Sequence, residues 1–189
     1  MAKRSAGILM YRRRHGELEV FLVHPGGPFW VKKDLGAWTI PKGEYADDEE
    51  PLAAAKREFK EETGFAIQGP FLELGIIRQA SGKLVSGWAV EGDCDPQKLV
   101  SNLCQVEWPQ RSHRMIEIPE VDRGEWFSIP EARKHIISTQ IPFLDSLNAR
   151  ERSAPLDGHD PPLPHRGKLA ESETMVTARS ATAARKGAS

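Results

Sequence analysis

Cysteine is scarce in this chain. Cys94 and Cys104 are its only two among 189 residues, too few for a disulfide framework and without metal-ligand spacing. Both are expected as reduced thiols, and neither is a candidate nucleophile. An excess of one charge is also missing: Lys and Arg total 26 against 27 Asp and Glu, for a formal net charge of −1. That balance gives no surface for coating nucleic acid. No apolar run reaches the roughly 20 residues a membrane-crossing helix needs. The apolar run at residues 6–11 is short and is followed at once by Arg12, Arg13 and Arg14, so it reads as a strand rather than a signal peptide. The expectation is a cytoplasmic protein with a small-molecule partner, and nothing here sets its oligomeric state. There are no internal repeats, and the six histidines lack ligand spacing.

What the chain does have is a dense pattern between Gly43 and Phe65. Pro51 suits the first turn of a helix, where its missing N–H costs nothing. Asp47, Asp48, Glu49 and Glu50 precede it, where the positive end of a helix dipole favours them. Leu52, Ala55 and Phe59 recur as one buried stripe, Ala53 and Ala54 keep the surface small, and Gly64 stops the helix. On that helix Glu58, Glu61 and Glu62 stand at i, i+3 and i+4, within roughly 100° of arc. Such crowding destabilises a bare helix or raises a carboxyl pKa. A solvated acidic face is one use of it, and a site for hard divalent cations is the other.

Taken together, Gly43, Glu49, Arg57, Glu58, Phe59, Glu61, Glu62, Gly64 and Phe65 spell G-x5-E-x7-R-E-F-x-E-E-x-G-F, which resembles the signature of the Nudix hydrolases with no position missing. The resemblance implies an α/β fold, an α/β/α sandwich around a mixed β-sheet. It also implies a Mg²⁺-dependent enzyme, with Mn²⁺ as an alternative ion, that cleaves a phosphoanhydride attached to a nucleoside or similar group. By the same resemblance Glu58 and Glu62 are metal ligands, and Glu61 is a further ligand or the group that orients or deprotonates the attacking water. The Gly43 carbonyl completes the shell, and Glu49 pairs with Arg57 as support. The chemistry needs such parts because a polyanionic phosphoanhydride repels a nucleophile, and bound cations neutralise it and activate water.

Upstream, Trp38-Thr39-Ile40-Pro41-Lys42-Gly43 adds a W-x-x-P-K-G run, seen in relatives acting on diadenosine polyphosphates. Trp38–Ile40 reads as a short strand ended by Pro41. Lys42 is a candidate phosphate contact, with an exposed loop lysine the alternative. Trp38 is a core residue or, second, a base-stacking platform. Phe29 and Trp30, in a Gly/Pro-rich segment, stack on a base or belong to a structural turn.

Strands are expected at residues 6–11 and 18–24, joined by Arg14-His15-Gly16, at 71–78 and 84–91, and more briefly at 114–118 and 125–129. Helices are expected from Pro130 to about residue 137 and over 141–150. The family likeness covers roughly residues 5–150, and one domain is expected over 1–150. Residues 151–189 turn Pro-rich and then Ser/Thr/Ala/Arg/Lys-rich, and are expected to be disordered because they bury too little to offset ordering entropy.

Many similar enzymes add a carboxylate from outside the helix. Glu107, in a stretch read as irregular, is favoured for that catalytic part over Glu117 and Glu120. The substrate expectation is a dinucleoside polyphosphate or nucleoside triphosphate. An ADP-ribose or NADH pyrophosphatase and a catalytically silent nucleotide sensor of the same fold are the alternatives.

Overall fold

Apolar residues fill consecutive positions in the first two strands, a pattern that demands cover on both faces of a sheet. The computed structural model, which describes residues 3–153, supplies that cover. Strands β1 (Arg4–Arg14) and β2 (Glu17–Pro25) form a hairpin. β3 (Lys42–Glu44) pairs antiparallel with the start of β1. After helix α1 (Pro51–Thr63) come β4 (Phe71–Arg78) and β5 (Leu84–Glu91), and β5 lies parallel to β1. A separate two-stranded ribbon, β6 (Leu103–Glu107) with β7 (Met115–Pro119), precedes β8 (Val121–Ser128), which closes on β2. The order β4-β5-β1-β2-β8, with β3 beside β1, is a mixed six-stranded sheet. Helices α2 (Ile129–His135) and α3 (Ile141–Ser153) complete the described chain.

The odd and even residues of β1 and β2 feed two cores. Ile8, Met10, Phe21 and Val23 pack on Ala54, Ala55 and Phe59 of α1. Leu9, Val20 and Leu22 pack on Ile136, Phe143 and Leu147 on the opposite side. This is the expected α/β/α sandwich. The ribbon corrects the reading of residues 103–107 as irregular, which failed because the strand buries no face completely: its Leu103 is 58% exposed. The expected short strand at 38–40 is reduced to isolated bridges of Thr39 with Val23 and of Trp38 with Ile136, while Lys42–Glu44 takes the pairing with β1. Helix α3 runs three residues beyond the expected 150. Of the segment expected to be disordered, residues 154–189 lie outside the described residues. Among the described residues no helix is long and apolar enough to cross a membrane.

Candidate active site

Helix α1 is held at both ends as its sequence requires. The Glu50 carboxylate accepts from Ala53 N–H at 2.6 Å, Pro51 fills the first turn, and Gly64 caps the end at φ 77° with its N–H on Lys60 O. Burying Ala54, Ala55 and Phe59 in the sheet fixes the rotation of the helix. That rotation turns Glu58 and Glu62 inward, 8% and 9% exposed, and leaves Glu61 at the rim.

Each inward carboxylate meets the backbone of β3. Glu62 Oε2 accepts from Lys42 N–H at 2.9 Å. The Glu58 carboxylate lies against Gly43, where a Cβ would overlap it. Arg57 ties the preceding loop to the helix through a bidentate pair with Glu49, both bonds 3.0 Å, which holds the Glu49 carboxyl below its ordinary pKa. Its Nη1 also donates to Glu58 Oε1 at 2.6 Å and Glu61 Oε2 at 3.2 Å. Burial raises the Glu58 pKa despite Arg57. Burial pushes Glu62 up to about 8, with Lys42 opposing the shift and Glu120 and Glu58 adding to it.

Glu58, Glu61 and Glu62 line one cavity of about 480 Å³ with Lys42, Lys83 and Glu120. Glu120 joins β7 to β8, its N–H bonded to Asn102 O and its carbonyl to Gly26 N–H. Glu107, the favoured outside carboxylate, is not brought in. It ends β6, accepts from His113 N–H at 2.6 Å, and lines neither this cavity nor the next. Glu117 accepts from the Gln105 amide on the ribbon. The signal that identifies Glu120 is its place between two strands whose base abuts α1, which a sequence that hides β6 could not display. Glu120 was named in the sequence only behind Glu107, whereas Lys83 was missed as a site residue: it sits on the β4–β5 turn and pairs with Glu44 at 2.8 Å.

A second cavity of about 260 Å³ adjoins the first and shares Lys42, Glu62 and Glu120 with it. Its apolar walls are Phe29 and Trp30 on one side and Val106 and Ile118 of the ribbon on the other. Phe29 meets Trp108 edge-on at 4.8 Å. Trp38 stands apart from both cavities in the core, 1% exposed, its ring packed on Phe127 and His24 and its Nε1–H donated to Asp34. No face of that ring is left for a base.

Among the described residues no three His, Cys, Asp or Glu side chains stand as a preformed metal-binding group, and Arg57, by drawing Glu58 and Glu61 to itself, supplies the physical reason. The donor set nevertheless fits a hard cation: the crowded carboxylates are all oxygen ligands, two of them desolvated, with a glycine cradle where Glu58 passes.

The NUDIX domain model matches residues 1–147, and the chain belongs to the Nudix family. It is an acid anhydride hydrolase of the pyrophosphohydrolase class, a class that generally uses divalent cations. Among solved structures, the chain is similar to a C. elegans Ap4A hydrolase binary complex, at 22% identity over 81% of this chain and 100% of that one, TM-score 0.58. It is also similar to the NUDIX domain of Shewanella oneidensis NrtR complexed with ADP ribose, at 15% identity over 82% and 90% of the two chains, TM-score 0.56. A NUDIX hydrolase from Nitrosomonas europaea matches at 20% identity over 79% and 90%, TM-score 0.51. At such identities these likenesses carry the fold. No curated protein matches the sequence significantly.

Proposed function

We propose that this protein hydrolyses a phosphoanhydride of a small nucleotide, a dinucleoside polyphosphate or a nucleoside triphosphate, with Mg²⁺ or Mn²⁺. The observation that carries the reading is the continuity of the two cavities: an acidic one fit for cations and phosphates opens through Lys42, Glu62 and Glu120 into an apolar one walled by Phe29 and Trp30. A nucleotide has that bipartite chemistry. The nucleobase lies against the aromatic wall, and Lys42 meets the phosphates as a point charge.

Glu58, Glu61, Glu62 and the Gly43 carbonyl would hold the divalent ions, and Glu58 and Glu61 would exchange their Arg57 hydrogen bonds for the cation. When bound, the ions supply charge neutralisation and a water of lowered pKa. Arg57 remains anchored by Glu49 and keeps the helix and the loop before it in register. Glu61 at the rim, or Glu120 from across the cavity, accepts the proton of the attacking water. Glu120 thus takes the place that sequence gave to Glu107. The Lys42 N–H bond to Oε2 fixes the Glu62 carboxylate where it lines the cavity.

The test is a hydrolysis panel of diadenosine polyphosphates, nucleoside triphosphates, ADP-ribose and NADH with Mg²⁺, product release being followed by chromatography. Cation-dependent cleavage of a polyphosphate is expected. Tight nucleotide binding without turnover would instead establish a sensor.

A further inference from the structure

The five residues leading into the site are held one amide at a time, each by a different part of the molecule. Trp38 N–H donates to His135 O at 3.0 Å and Thr39 N–H to Val23 O at 3.0 Å. Pro41 has no N–H, and its carbonyl accepts from Ile8 N–H at 3.0 Å. Lys42 N–H donates to Glu62 Oε2. Between them Ile40, 0% exposed, has its N–H buried where no strand reaches it. Gln140 supplies the acceptor: its Oε1 takes the Ile40 N–H at 3.0 Å, and its Nε2 donates to Thr39 Oγ1 at 2.8 Å.

Gln140 is itself 0% exposed, on a short 3₁₀ turn (Ser138–Gln140) in the helical layer opposite α1. An uncharged amide so deeply buried is tolerated only when its donor and acceptor are matched. Leaving Ile40 N–H orphaned carries the desolvation penalty of a buried donor without a partner, and the segment relieves it only by shifting. The segment has little other freedom, because Gly7 lies so close beneath Pro41 and Lys42 that a Cβ there would overlap both. A shift at Ile40 therefore passes to Lys42 and Gly43, the points where Glu62 and Glu58 meet the backbone.

We infer that Gln140 is a positioning residue for hydrolysis, acting through the Ile40 amide to set Lys42 and Gly43 against Glu62 and Glu58. It touches no substrate and lies on the far side of the sheet from the acidic helix. This inference rests on the function proposed above.

The test compares three full-length variants under conditions where each is folded by near-UV circular dichroism. Gln140→Leu removes both hydrogen bonds. Leu147→Ala destabilises the same core, where Leu147 is 0% exposed and shares a cluster with Trp38 and Ile40, but removes no hydrogen bond to residues 38–43. Gln140→Glu keeps a donor and an acceptor while its carboxyl is neutral and loses the donor on ionisation. Gln140→Leu is expected to lose at least about tenfold in kcat and to show faster amide exchange at Ile40 and Lys42, as a 1 Å misplacement does elsewhere. Leu147→Ala is expected to hold kcat within about twofold, the loss of apolar packing with every hydrogen bond kept acting on stability. Gln140→Glu is expected to approach wild-type turnover at low pH and fall as pH rises, a limb the wild type lacks.

Equal kcat and KM in wild type and Gln140→Leu overturn the inference, as does an equal loss in Leu147→Ala. If Gln140→Leu does not fold, the pH limb of Gln140→Glu decides alone, and a flat profile overturns it. If the wild type turns over nothing on the panel, the proposed function fails, whereas exchange at Ile40 and Lys42 still decides whether Gln140 sets them.

Discussion

The Glu58 carboxylate fills the space that a side chain at Gly43 would need. Glycine is required here for close approach of helix and strand rather than for a special backbone angle. Gly43→Ala is therefore expected to push Glu58 away from β3 and depress kcat by about 10²-fold, the scale of a displaced catalytic group, with the protein still folded. Steady-state kinetics beside a thermal melt checks this; turnover within twofold of wild type would show that Glu58 has no need of that position.

The buried Glu62 makes the metal-free protein sensitive to alkali. Its folded pKa, about 8, lies above the ordinary 4.5, so the stability it contributes is fully present below pH 4.5 and is lost as pH rises through about 8. Chelator-treated protein is expected to lose on the order of a few kcal/mol across that window. Glu62→Gln should flatten the slope and abolish most turnover. Added Mg²⁺ should raise the melting temperature more at pH 8 than at pH 5.5, because it binds the ionised form. Melts in EDTA that show no pH slope would contradict the burial of this charge.

Much of this site was legible in the sequence because helix periodicity is rigid. Spacing alone put Glu58, Glu61 and Glu62 on one face, and Pro51 and Gly64 marked the ends correctly. What spacing could not say is which of the three turns inward, since that follows from the seating of Phe59 and Ala55 in the sheet. The outer carboxylate was misplaced for a different reason. β6 and β7 form a half-exposed ribbon. The β7 half was expected as a short strand, but the alternation of β6 is blurred by Cys104, Gln105 and Glu107, so residues 103–107 read as irregular and Glu107 as an acid able to fold over the site. Once the ribbon exists, Glu107 is at its far end and Glu120 at its base. Trp38 resolved toward the core because its strand-like segment crosses the sheet face under α2, a tertiary relation that no local pattern encodes.

That geometry separates the two glutamates experimentally. Glu120→Gln is expected to lower kcat by about 10- to 10³-fold, the range of a general base or a charge at a cation site. Glu107→Gln should leave both kcat and KM near wild type. The reverse ranking in a single kinetic comparison would mean that the ribbon folds over the site in solution.

Neither thiol should be a ready nucleophile. Burial, with Asp93 beside it, pushes the Cys94 thiol up to about 12, and burial also raises Cys104, next to Glu120. At pH 7.5 the Cys94 thiolate is then about 10³-fold rarer than for a free cysteine. Iodoacetamide labelling followed by mass spectrometry should find Cys94 alkylated about that much more slowly than glutathione, with the rate rising tenfold per pH unit until the thiol ionises. Rapid labelling at neutral pH would show the segment after β5 to be open.

Phe29 offers the sharpest reading of substrate recognition, because it lines the apolar cavity and packs nearly perpendicular to Trp108. If a nucleobase lies on that wall, Phe29→Ala removes stacking worth about 1–3 kcal/mol per base. KM for the preferred nucleotide should then rise about 5- to 150-fold, the conversion of that energy, with kcat little changed, since the loss falls equally on ground and transition states. Inorganic polyphosphate, which has no base, should be cleaved equally by both proteins. A fall in kcat for both substrates would instead place Phe29 in holding the loop, and the base would have to be sought elsewhere along the rim.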